Sequence, residues 1–196
     1  ANQALGLDAY LRERLYRDHQ SGALAADDTA VYTIETTLDP ASFTQVRNGI
    51  IRAQNDVPPP TNRLVAYAID GGELLWEIGG PRGEGALPLA GHYFLGTPLV
   101  WNRRLYCLAE AGGELRLLQL QPVHAERRIE VEWSQALVAP DRMMTLAPLR
   151  RLSGLTPTLA DGLLICPTGC GIVAAVDPLR QQLVWGFQYE SHETMQ

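Results

Sequence analysis

The chain has 196 residues, 46% hydrophobic and 19% charged, with a formal net charge of −6. This is enough apolar side chain for a packed core, and it excludes a highly charged, disordered chain. All sixteen basic residues are Arg, in no dense run, which excludes the basic face expected of a nucleic-acid binder; no stretch nears the roughly 20 apolar residues of a membrane-spanning helix.

In chain order, Leu5 to Tyr16 (LGLDAYLRERLY) places apolar side chains at helical spacing. Residues 1–20 are therefore expected to hold a short amphipathic helix, packed on the rim of the fold or docked on a partner. Leu24 to Glu35 (LAADDTAVYTIE) reads as a polar turn and a strand. Residues 36–62, which include DVPPP, are long for a connection between strands. Three prolines favour an extended polyproline-like form there, in a functional loop or a disordered insertion. Arg63 to Ile78 (RLVAYAIDGGELLWEI) then forms a hairpin through Gly71-Gly72 that closes on Trp76. The glycine-rich Gly79 to Gly85 lacks the Lys and Ser/Thr of a phosphate loop and reads as a linker.

The remainder is repetitive. TPLVWNRRLYC, from Thr97, aligns without gaps on TPTLADGLLIC, from Thr156, 59 residues later, so that Cys107 coincides with Cys166. A glycine-marked turn, a third apolar run and a final run with a tryptophan come next in both copies. The first unit shows the same order, with Tyr32 at the cysteine position. Trp76, Trp133 and Trp185 thus close three successive units. Four short strands per unit with turns between them are the pattern of a propeller blade. LYCLA and LLIC lack polar alternation, as strands covered on both faces do. A terminal Trp offers a large ring for docking between blades and an N–H that can find a carbonyl. A β-sandwich with three unrelated tryptophans is the competing reading, and the gapless match argues against it.

Ala175-Val176-Asp177 through Trp185 resembles the PQQ-type repeat of quinoprotein propellers, Ala-x-Asp-x-x-Thr-Gly-x-x-x-Trp, with Gln181 and Gln182 taken in place of Thr-Gly. Ala68-Ile69-Asp70 through Trp76 keeps the same three residues over a shorter turn, and the middle unit keeps mainly Trp133. The resemblance, covering Gly22 to Tyr189, implies an all-β fold of about three four-stranded blades from a larger propeller, broadly akin to WD40 and YVTN-like repeats. The blades are expected at 21–80, 81–140 and 141–190, with a polar tail at 191–196. Asp70 and Asp177 are expected to hold turn amides, and Trp76, Trp133 and Trp185 to lock the blades; all five are structural rather than catalytic.

The resemblance implies two functions. One is a non-catalytic, bacterial protein-interaction scaffold, as in the propeller lipoprotein of the outer-membrane barrel-assembly machinery, placed in the periplasm or cell envelope. The other is part of a PQQ-dependent dehydrogenase using PQQ and calcium, its catalytic residues outside this chain. No catalytic, cofactor-binding or metal-ligating residue is assigned. His19, His92, His124 and His192 are scattered, and Cys107, Cys166 and Cys170 lack the four-ligand pattern of a structural zinc site. Cys166 and Cys170 are expected as buried free thiols, with a disulfide between them as the alternative. Three blades cannot close a ring of the usual four to eight, so a longer polypeptide or several copies are expected, with the remaining blades or a protein as partner.

Overall fold

The computed structural model describes residues 19–20, 22–36, 61–83, 85–140 and 153–189. The expected N-terminal helix, residues 37–60 of the insertion and the tail lie outside these described residues. The structure is all-β. In the first sheet, β1 (Leu24–Ala26), β2 (Ala30–Thr36), β3 (Asn62–Ala68) and β4 (Leu74–Gly79) run antiparallel in chain order. The third sheet repeats this with β10 (Thr158–Ala160), β11 (Leu163–Pro167), β12 (Ile172–Asp177) and β13 (Gln182–Gln188). The second has five strands rather than four. Its β5 (Tyr93–Phe94) and β6 (Leu99–Trp101) both pair with β7 (Arg104–Ala111), followed by β8 (Glu114–Val123) and β9 (Arg128–Val138). The innermost strand breaks between β5 and β6 at Leu95–Pro98, where Pro98 has no N–H to give to a ladder.

One irregularity marks all three sheets as repeats. Trp76 pairs with Ala66, Trp133 with Gln119 and Trp185 with Ala175, and at each pair the register shifts by a bulge. The three tryptophans therefore occupy one structural position, and Leu75, Glu132 and Val184 are the extra residues. A bulge bends its strand and re-aims its side chain. In the second sheet it aims Glu132 at Arg104, whose Nε and Nη2 donate to its carboxylate at 2.6 and 3.2 Å, and at Gln119 Nε2, 2.7 Å away.

The same register corrects two sequence alignments. Tyr32 pairs with Ala66 as Tyr106 pairs with Gln119, so Tyr32 matches Tyr106, and Thr33 stands at the cysteine position. The two turns are equally long, since Asp27 to Ala30 separate Ala26 from Val31 as Trp101 to Arg104 separate Val100 from Leu105; the sequence alignment is simply one residue out of register. A slip of one residue moves a strand side chain to the opposite face. Likewise Gln181 carries the positive φ, 55°, so Arg180-Gln181, rather than Gln181-Gln182, stands where the repeat has Thr-Gly.

The sheets stack face to face, as blades do. The first apolar core joins Tyr32, Leu64 and Trp76 of the first sheet to Leu105, Cys107 and Leu118 of the second. A second core joins Tyr106, Leu108 and Leu117 to Leu164, Cys166 and Val176 of the third. Each residue from Leu105 to Glu110 is buried, which explains why LYCLA lacks alternation. LLIC differs: Leu164 and Cys166 are buried while Leu163 and Ile165 are only partly covered, because the third sheet packs on one side.

Polar contacts pin the sheets. The buried Asn62 side chain donates to the Phe94 carbonyl at 2.7 Å and accepts from its amide at 2.8 Å. The repeat-equivalent Thr156 Oγ1 and Thr97 carbonyl lie 3.0 Å apart, and the Leu155 amide donates to the Leu95 carbonyl at 2.8 Å. Residues related by the blade-to-blade rotation meet only near its axis, so this junction marks the axial end of the stack.

Gly96 permits that close approach, since a Cβ there would lie 2.5 Å from the Leu155 carbonyl oxygen. Gly96→Ala is expected to cost about 2–3 kcal/mol, in the range of overpacking. Gly112→Ala, at φ +61° but in open space, is expected to cost about 1 kcal/mol of left-handed strain. Urea unfolding midpoints of both variants check the difference.

Candidate interaction face

Trp76, Trp133 and Trp185 point the same way along the stack, and only the neighbour beyond each one differs. Trp76 is covered by the second sheet and is 5% exposed. Trp133 packs into the core shared with the third sheet. Trp185 has no described sheet beyond it and is 43% exposed, with Phe187 on the same face at 63%. The pairings Ile165–Ala175–Trp185 and Val173–Phe187 place these side chains on one surface, making an apolar face on the outer side of the third sheet. Large apolar side chains gathered on one face mark an interaction surface, whereas scattered ones do not.

The other end of the stack is polar. The outward face of the first sheet carries Thr33 and Glu35 on β2, Arg63 and Tyr67 on β3, and Glu77 on β4, aligned by the Thr33–Val65–Glu77 register. Arg63 Nη1 bonds Glu77 Oε2 at 2.8 Å, and Tyr67 Oη donates to Glu35 Oε1 at 2.6 Å. The bond to Glu35 raises the Tyr67 pKa.

Between the first two sheets lies a polar cluster that the sequence did not disclose. The β8–β9 hairpin ends in a 3-10 turn, His124–Glu126, that reaches back to the first sheet. Tyr32 Oη donates to Asp27 Oδ2 at 2.5 Å and lies 3.3 Å from His124 Nε2. His124 and Trp76 flank the Tyr32 ring at centroid distances of 6.4 and 5.8 Å. Asp27 Oδ1 accepts from the Thr29 and Ala30 amides and the Thr29 hydroxyl, each at 2.8 Å. Burial opposes ionisation of Asp27, but the bonds from Tyr32, Thr29 and Ala30 outweigh it and hold the pKa at about 2. Burial first, then the bond to and charge of Asp27, push the Tyr32 pKa far above its ordinary value. A carboxylate whose Oδ1 is taken by its own turn and whose Oδ2 is taken by a phenol held protonated forms a clamp rather than an acid–base pair. Arg127 adds an exposed ion pair to Glu73 at 2.9 Å; pairs of this kind contribute at most about 1 kcal/mol.

The remaining expected residues are structural in their surroundings. Asp177 Oδ1 accepts from the Leu179 and Arg180 amides, each at 2.9 Å. Asp70 is exposed, and backbone bonds from Gly72 to Ala68 and from Ala68 to Glu73 close its turn. In the first sheet the amide-holding acid is instead Asp27, at the β1–β2 turn. Trp76 Nε1 is buried without a hydrogen-bond partner among the described residues, so the indole acts through its ring and not through the carbonyl contact expected of it. All three cysteines are free; Cys107 and Cys166 are buried, with burial raising both pKa values to about 12, while Cys170 is only half-buried. His92 bonds the Leu89 carbonyl at 2.9 Å, and burial lowers its pKa. His192 lies outside the described residues. Two shallow clefts, about 140 and 310 Å³, flank β4 and the Gly79–Gly85 linker. Among the described residues no three His, Cys, Asp or Glu side chains converge on a point that could hold a metal ion.

No known family model and no curated protein matches this sequence. Among solved structures, the crystal structure of BamB from Moraxella catarrhalis aligns with 67% of this chain at 15% identity and a TM-score of 0.36. The alignment spans 50% of that protein's length, and at this level it carries no argument about function.

The geometry leads to two expected outcomes. Trp76→Ala is expected to cost about 3–5 kcal/mol, as for a buried aromatic, and Trp185→Ala less than about 1 kcal/mol, the range of surface changes; chemical denaturation of each variant measures the contrast. The Asp27 pKa is lower folded than unfolded, so its contribution is complete above about pH 4 and fades as pH falls towards 2. The stability gap between the natural chain and Asp27→Asn, read from urea midpoints between pH 6 and 2, is expected to narrow over that interval.

Proposed function

We propose that this chain is a non-catalytic segment of a PQQ-like β-propeller that acts as a protein-interaction scaffold within a larger protein or assembly. The observation that carries the reading is the apolar face of the third sheet, where Trp185 and Phe187 stand exposed at the positions that the first sheet buries with Trp76 and Ile78. The Asp27–Tyr32–His124 cluster supports it too, since Asp27 fixes the Tyr32 hydroxyl that His124 of the second sheet meets, a structural link between two blades. In this reading the segment uses no PQQ or calcium of its own. The competing proposal, a blade set from a PQQ-dependent dehydrogenase, places the cofactor ligands outside these residues.

Two measurements separate the proposals. The complete protein, supplied with PQQ and calcium, is expected to reduce no redox dye; quinone-dependent dye reduction contradicts the scaffold reading. Trp185→Glu with Phe187→Glu is expected to lower binding of an apolar fluorescent dye several-fold while leaving the far-ultraviolet circular dichroism unchanged, because both side chains already face water.

A further inference from the structure

We infer, building on the scaffold reading, that the open face of the third sheet receives a further four-stranded antiparallel sheet with short aliphatic side chains and no carboxylate at the centre of its face, and that the first sheet of a second copy does not fill this place. Both internal junctions are built alike, with the tryptophan side of one sheet lying on the aliphatic side of the next. Trp76 is met by the face carrying Leu105, Cys107, Leu118 and Leu120. Trp133 is met by the face carrying Leu164, Cys166, Ala174 and Val176. None of these central side chains is larger than Leu, which lets two pleated surfaces approach over the indole; on the second sheet Phe94 and Arg116, both paired with Ala109, flank them. The third sheet repeats the tryptophan position and its bulge, and it presents Trp185 and Phe187 at the same side of the stack. The surface that completes it therefore has the chemistry of the two that already complete its predecessors.

The first sheet of a second copy lacks that chemistry. At the cysteine position it carries Thr33, at the position of Ala109 it carries Glu35, and at the position of Leu120 it carries Tyr67. Arg63 stands where the second sheet has Arg116, but Glu77, its ion-pair partner, stands where that sheet has Ser134. Pressing this surface onto Trp185 and Phe187 would strip water from the Glu35 and Glu77 carboxylates with no new partner for either, a penalty of several kcal/mol per ion. The stack is thus directional, apolar at one end and charged at the other, and copies of it do not close a ring head to tail.

The test inserts a second copy of residues 140–189 between Tyr189 and Glu190 of the full chain, so that a Leu164/Cys166/Ala174/Val176 face comes after Trp185. The inserted copy carries Trp185→Phe, and acrylamide quenching of the original Trp185 is read by difference against its own Trp185→Phe variant. Quenching of Trp185 is expected to fall at least fivefold, with the extended chain monomeric. A Trp185 as quenchable as before, or an inserted copy that remains unfolded by circular dichroism, contradicts the inference. Sedimentation of the unextended chain gives a second reading. Glu35→Lys with Glu77→Lys is expected to leave its state of association unchanged; a shift in that state shows that the charged face meets the open one, and overturns the inference. Dye reduction with PQQ and calcium would remove the scaffold reading while leaving these results intact, so the two fail separately.

Discussion

The second sheet has no solvent face at its centre. Leu105, Cys107 and Ala109 are covered from the first sheet, and Tyr106 and Leu108 from the third, so consecutive residues of one strand serve two separate cores. A fully covered side chain of this size contributes about 1.5–3 kcal/mol, and here each contribution is gained only if the neighbouring sheet is in place. The sheets are individually too thin to hold a core, and the stack supplies what none has alone. Directionality follows from the same arrangement, because a sheet that presents an indole on one side and short aliphatic groups on the other can pack only in one order.

The polar contacts serve that order. Asn62 matches both backbone groups of Phe94, and Thr156 meets its own repeat equivalent, Thr97, near the axis. At the other end of these strands the long β8–β9 hairpin folds its 3-10 turn against Tyr32, which Asp27 already holds. The first two sheets are therefore joined by an apolar core and by polar links on either side of it. An unpaired group buried at such a junction would be costly; the ionised Asp27 is stable there because its oxygens have four donors within 2.8 Å.

Much of this fold is legible in the sequence. The tryptophans, the glycine-marked turns and the Thr97/Thr156 match locate the three sheets, since a repeat must place the same large ring at the same seam. The face that each side chain occupies is harder to read. The repeat pattern aligns Tyr32 with Cys107, whereas in the fold it matches Tyr106; Asp27 to Ala30 share no residue type with Trp101 to Arg104 to anchor the register, and sheet periodicity turns one residue of error into the opposite face. The bulges beside each tryptophan leave no trace in composition, as the extra residue is aliphatic in Leu75 and Val184 but acidic in Glu132. The contact of His124 with Tyr32 spans 92 residues and depends on how far a hairpin overhangs, which no local pattern encodes. The break between β5 and β6 has a visible signal in Pro98, although it reads equally well as a turn.

The central claim is that the second sheet is buried from both sides by its neighbours, and native-state hydrogen exchange tests it most directly. The amides of β7 and β8 are expected to exchange slowest, at the rate of global unfolding, with β2 and β3 close behind and β13 fastest of the long strands. Slowest exchange in the first or third sheet, with β7 and β8 opening independently and early, would contradict the claim, because the sheets would then be stable as separate units and not as a stack.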